Sequence, residues 1–116
     1  MANPVVHWEI AGKDAAATQK FYGSLFDWNL DAQSMPGYCM TRTGEGGIDG
    51  GMMQSPEGAP PYVTFYVQVD DLAAYLAKAE SLGGKTMVGP SPIPGHGSFA
   101  MFTDPDGNML GLFSSQ

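Results

Sequence analysis

A chain of 116 residues, 43% of them hydrophobic, is long enough to bury a core without disulfide or metal staples. Five Lys and Arg stand against twelve Asp and Glu, a formal net charge of −7, which excludes the basic footprint that nucleic acid requires. There is no membrane-length apolar run and no apolar leader, and Cys39 has no partner for an internal disulfide; the expectation is a soluble, cytoplasmic protein.

The alternation of Val6, Trp8 and Ile10 with His7 and Glu9 predicts a strand over residues 5–10, apolar on one face and polar on the other. Asp14 is placed to cap a helix that runs to about Phe26, with Ala17, Phe21 and Leu25 as its buried stripe. Short strands are expected at 28–30, at 38–41 after the Met35-Pro36-Gly37 turn, and at 48–54, where glycine is abundant. The proline-rich stretch 55–61 reads as a linker between a first module, 1–55, and a second, 62–116.

The order then restarts. Residues 62–69 alternate Tyr62, Thr64, Tyr66 and Gln68 with Val63, Phe65, Val67 and Val69. Asp70 or Asp71 caps a helix that places Leu72, Tyr75, Leu76, Ala79 and Leu82 on one side, and Gly83-Gly84 ends it. Strands follow at 85–88, 98–103 and 109–114, separated by a loop at 89–97 with three prolines and by the tight turn Asp104-Pro105-Asp106-Gly107-Asn108.

The second half replays the first. Thr64 lies 57 positions after His7, and the same shift carries Asp14 onto Asp71 and Leu25 onto Leu82. Each half is a βαβββ module, and the fold class is α+β. Each helix is expected to cover the apolar face of its own sheet. The opposite face, with His7, Glu9, Thr64, Tyr66 and Gln68, is then left to line a concave small-molecule cavity.

Several motifs in this arrangement resemble the vicinal oxygen chelate superfamily, which includes glyoxalase I, bleomycin-resistance proteins and extradiol dioxygenases. They are Val6-His7-Trp8-Glu9-Ile10, Phe21-Tyr22 with Leu25-Phe26-Asp27-Trp28, Val69-Asp70-Asp71-Leu72, Leu82-Gly83-Gly84 and Thr103-Asp104-Pro105-Asp106-Gly107-Asn108. The resemblance implies a single domain of two tandem modules that form a curved, incomplete β-barrel with the helices outside, and a homodimer. In metal-dependent members it implies four ligands, one on the first and one on the last strand of each module. His7 matches the first; the others fall on Thr64, on Gly50 or Gly51, and on Gly111. A catalytic zinc needs about three protein ligands, so no metal or other cofactor is expected and His7 is the only retained ligand-type residue.

Two residues are candidates for moving a proton. His7 titrates near neutrality when unperturbed, and Glu9 projects from the same face one pleat away. Thr64, Tyr66, Met53 and Met101 are candidates for ligand contact, through a phenol that both stacks and donates and through adaptable thioethers. Met52 and Met109 are further thioethers whose facing depends on register. His96 reads as a loop histidine, Cys39 as a buried bystander and residues 104–108 as turn chemistry. The leading expectation is a bleomycin-resistance-like protein that sequesters a small, partly apolar molecule. The alternatives are a metal-independent lyase or isomerase using His7 and Glu9, and a divalent-metal enzyme of the glyoxalase or dioxygenase type.

Overall fold

The structure, a computed structural model, describes residues 2–116 and has the expected α+β order, two tandem βαβββ modules. The first holds β1 (Val5–Gly12), α1 (Ala15–Phe26), β2 (Asn29–Asp31), β3 (Tyr38–Arg42) and β4 (Gly50–Gln54). The second holds β5 (Tyr62–Gln68), α2 (Leu72–Ser81), β6 (Lys85–Ile93), β7 (Gly97–Thr103) and β8 (Met109–Ser114). No helix among the described residues is long and apolar enough to cross a membrane.

The compact units divide at slightly different points from the repeat. One is His7–Thr64; the other joins Phe65–Gln116 to the N-terminal residues as far as Val6. The N-terminal segment is tied to its unit by the Gln68 amide donating to the Pro4 carbonyl at 2.9 Å and by Asn3 Nδ2 donating to Tyr75 Oη at 3.1 Å.

In the unit His7–Thr64 the strand order is β2-β3-β4-β1, with β1 and β4 parallel and the other pairs antiparallel. Asp14 caps α1 as expected, its carboxylate accepting from the Ala17 amide at 3.2 Å. The expected buried stripe is overturned: Ala17, Phe21 and Leu25 are all exposed, Phe21 at 59% and Leu25 at 58%. The half-buried face is instead Ala15, Thr18, Gln19, Tyr22 and Gly23. Small residues let the helix come close. A Cβ on Gly12 would collide with the Thr18 hydroxyl, and one on Gly23 would lie 2.9 Å from Leu30 Cδ1. Tyr22 then joins Trp8, Phe26 and Trp28 in an aromatic cluster whose ring centroids lie 4.9–6.3 Å apart. Cys39, Thr41 and Met52 are fully buried, and Cys39 faces Met52 across the β3–β4 pair.

In the other unit the order is β5-β8-β7-β6, with β5 and β8 parallel. Asp71 supplies the α2 cap, accepting from Ala74 at 3.0 Å. Leu72 and Leu76 pack with Val69, Ala100 and Leu112, against half-buried Val67, Tyr75 and Phe102. Three expectations are corrected here. Leu82 lies past the end of α2 and is exposed. Phe65 is 39% exposed and is not among the residues packed with the α2 leucines, and Val63, in the His7–Thr64 unit, is 71% exposed. The loop expected at 89–97 is strand as far as Ile93. β6 is an edge strand with register shifts around Val88, where proline costs no interior ladder bond.

Candidate functional site

The strand period places His7 and Glu9 on one face of β1, with Trp8 and Ile10 on the other. The parallel register sets Glu9 opposite Gly51 and Trp8 opposite Gly50. β3 lies on the other side of β4, with Tyr38 opposite Met53 and Met40 opposite Gly51. His7, Glu9, Gly51, Met53, Tyr38 and Met40 therefore share a face. Both β4 glycines are sites of close approach. A Cβ on Gly50 would collide with the Trp8 indole, and one on Gly51 with Cε2, Cζ and Oη of Tyr38.

The polar side chains of this face form a connected array. His7 Nε2 lies 2.7 Å from Tyr38 Oη, with the two rings stacked at 20°. Tyr38 Oη donates to Glu9 Oε1 at 3.0 Å, and Tyr62 Oη donates to Glu9 Oε2 at 2.6 Å. Glu9 is 4% exposed, so its two phenol bonds replace water that a buried carboxylate would otherwise lack. Met53 Sδ stands 4.0 Å from Tyr62 Oη.

Burial lowers the His7 pKa below the usual histidine value, with the charges of Glu9 and Asp49 pulling the other way. The imidazole is therefore neutral at neutral pH. Burial also raises the Tyr62 phenol above its ordinary range, reinforced by the hydrogen bond to Glu9 and by its charge, so Tyr62 stays a neutral donor. The array can present an imidazole, two phenols and a carboxylate to a polar ligand group beside the Met53 thioether.

The structure thus brings His7, Glu9 and Met53 together, as the strand alternation allows. Thr64 and Tyr66 are buried rather than wet. Tyr66 sits in the other unit opposite Gly111, where a Cβ would collide with its ring, and its Oη lies 4.0 Å from Met101 Sδ. Cys39 is buried, with its thiol pushed up by burial, and His96 is an exposed turn residue. Asp104 is spent on its turn, accepting from the Asp106 and Asn108 amides at 2.9 Å each.

Sequence reasoning placed Tyr62 on the polar face of its strand without naming it a site residue, and did not single out Tyr38. The adjacent Gly50-Gly51 inside a strand was the available signal, because interior strand glycines often mark the close approach of something bulky. The register also settles which β4 glycine shares the His7 face: Gly51 does, and the Tyr38 ring covers it. Among the described residues, no group of three or more His, Cys, Asp or Glu is gathered to hold a metal ion.

A sequence model of the Glyoxalase/Bleomycin resistance protein/Dioxygenase superfamily matches residues 5–112. The protein named "Putative glyoxylase CFP32" from Mycobacterium bovis is 37% identical over 109 residues, which cover 88% of this chain and 42% of that one. The chain therefore spans less than half the length of that relative. Among solved structures, methylmalonyl-CoA epimerase from Mycobacterium tuberculosis superposes with a TM-score of 0.70 at 14% identity, covering 97% of this chain and 87% of that one. The Mn(II)-bound glyoxalase from Novosphingobium aromaticivorans gives 0.68 at 18% identity, covering 98% of this chain and 40% of that one. At these identities the two structures speak for the fold alone.

Proposed function

This chain belongs to the glyoxalase/bleomycin resistance protein/dioxygenase superfamily, and on that premise we propose that it binds a small, partly apolar molecule directly, without a metal ion. The observation that carries this reading is the commitment of Glu9. Its two oxygens each accept a tyrosine hydroxyl, which makes the carboxylate a fixed part of the wall. The donor chemistry does not fit a divalent ion. His7 is the one imidazole on this face, and the last-strand positions Gly51 and Gly111 are covered by tyrosine rings. Thr64 and Met53 are the proposed ligand contacts within the His7–Thr64 unit; Tyr66 and Met101 are proposed as contacts within their own unit. Two copies are proposed to pair through the apolar stripe Phe21 and Leu25 of α1, which this chain leaves uncovered.

Metal analysis of the purified protein and a thermal-shift series with Mn²⁺, Ni²⁺, Zn²⁺ and neutral aromatic ketones such as acetophenone test the proposal. A ligand of the native state raises its melting temperature by mass action. Stabilisation by the ketones, with no ion-specific shift that depends on His7, is the expected result. A large shift with one ion, abolished in His7→Ala, would overturn it.

A second reading is proton transfer next to a carbonyl, as in a lyase or isomerase. It is favoured by a neutral His7 within reach of both Tyr38 and the Glu9 charge. Its signature is deuterium uptake at the acetophenone methyl group in heavy water, above the buffer rate and lost in His7→Ala while binding persists.

A further inference from the structure

We propose that Gly51 is a positioning residue for this site, acting on His7 and Glu9 through the ring of Tyr38. The inference rests on the reading of that face as the ligand-facing one. Glycine in a strand interior weakens the strand, and it is commonly kept for a left-handed backbone or for space. Gly51 has no left-handed backbone: the positive-φ glycines among the described residues are Gly37, Gly44, Gly46, Gly58, Gly83, Gly95, Gly97 and Gly107. Space is the remaining reason. The ring of Tyr38 reaches over β4 beside the place a Cβ on residue 51 would take, and that Cβ would collide with the hydroxyl end of the ring. No small adjustment of a rigid phenol relieves such a clash, so any side chain at 51 expels it.

The position of the ring has chemical consequences. Seated on Gly51, Tyr38 holds Oη 3.0 Å from Glu9 Oε1 and 2.7 Å from His7 Nε2. A phenol has one proton, and an ionised carboxylate only accepts. The proton goes to Glu9, so the phenol oxygen accepts from His7, and neutral His7 carries its proton on Nε2. The bare backbone at residue 51 thereby sets a tautomer on the neighbouring strand β1. It also decides which donor occupies this part of the face: a ligand-type side chain at 51 and a seated phenol exclude each other. Gly111, also without positive φ, likewise leaves space for a tyrosine ring, that of Tyr66 directly opposite it on β5.

The test reads the imidazole nitrogens by long-range ¹⁵N–¹H correlation, with His96, the other of the two histidines, as internal reference. Gly51→Ala and Tyr38→Phe are both expected to move the His7 nitrogen shifts toward mixed-tautomer values and to leave His96 unchanged. In thermal melts, Gly51→Ala is expected to lower the midpoint in wild type and to be neutral in a Tyr38→Ala background. A His7 signal unmoved by Gly51→Ala would overturn the proposal. So would an equal loss of stability with and without the Tyr38 ring. If Gly51→Ala alone does not fold, recovery of folding in the Tyr38→Ala/Gly51→Ala double variant supports the seat, and failure to recover overturns it. Ketone binding plays no part in these readouts, so the seat and the ligand reading fail separately.

Discussion

Tyr62 reaches Glu9 from the start of β5, at 2.6 Å, and is the shorter of the two phenol bonds to that carboxylate. Removing its hydroxyl leaves Glu9 Oε2 buried without this donor. Tyr62→Phe is therefore expected to cost about 1–3 kcal/mol of stability, the penalty for a buried polar atom that loses one hydrogen-bond donor. Urea denaturation measures it, and an unchanged midpoint would show that Oε2 does not depend on this bond. His7 and Glu9 were legible as candidates because a two-residue period needs only neighbouring residues to be read. Tyr38 was not, because its role depends on where β3 registers against β4, and that pairing joins residues far apart in the chain.

The helices make the same point at a larger scale. The α1 cap was readable and the α2 cap was narrowed to Asp70 or Asp71, since each aspartate precedes an alanine-rich run and the cap bond is local; the structure selects Asp14 and Asp71. Asp71→Ala is expected to cost about 1 kcal/mol, seen as a lower midpoint in circular dichroism melts, while Asp71→Asn largely preserves it. The face each helix turns inward was less readable. The i, i+4 pattern of α2 found its buried leucines, but that of α1 selected Phe21 and Leu25, which face outward. Close approach at Gly12 and Gly23 and stacking of Tyr22 with Trp28 decide the rotation of α1. β6 ran past its expected end for a related reason. Prolines stop a central strand, and only the strand order reveals that β6 is an edge.

For the whole molecule, Phe21 and Leu25 of α1 are among the large apolar side chains that a single copy leaves exposed. Proteins seldom expose large contiguous apolar patches without a partner. Analytical ultracentrifugation of the wild-type chain is expected to give twice the monomer mass, and Phe21→Glu with Leu25→Glu is expected to halve it while leaving the fold intact by circular dichroism. A wild-type monomer would remove the pairing proposal and leave the site untouched. The relative CFP32 is more than twice as long as the segment it shares with this chain, so its own assembly is a separate matter.

The order of elements, the twofold repeat, the helix caps and the family were all determined by the linear chain, because each depends on local periodicity or on short motifs. Tertiary structure alone decided which way α1 turned, that β6 could carry its prolines, and that Tyr38 and Tyr62 would close on Glu9. These outcomes depend on strand register and on the space left by single glycines, and both exist only once distant segments have been brought side by side.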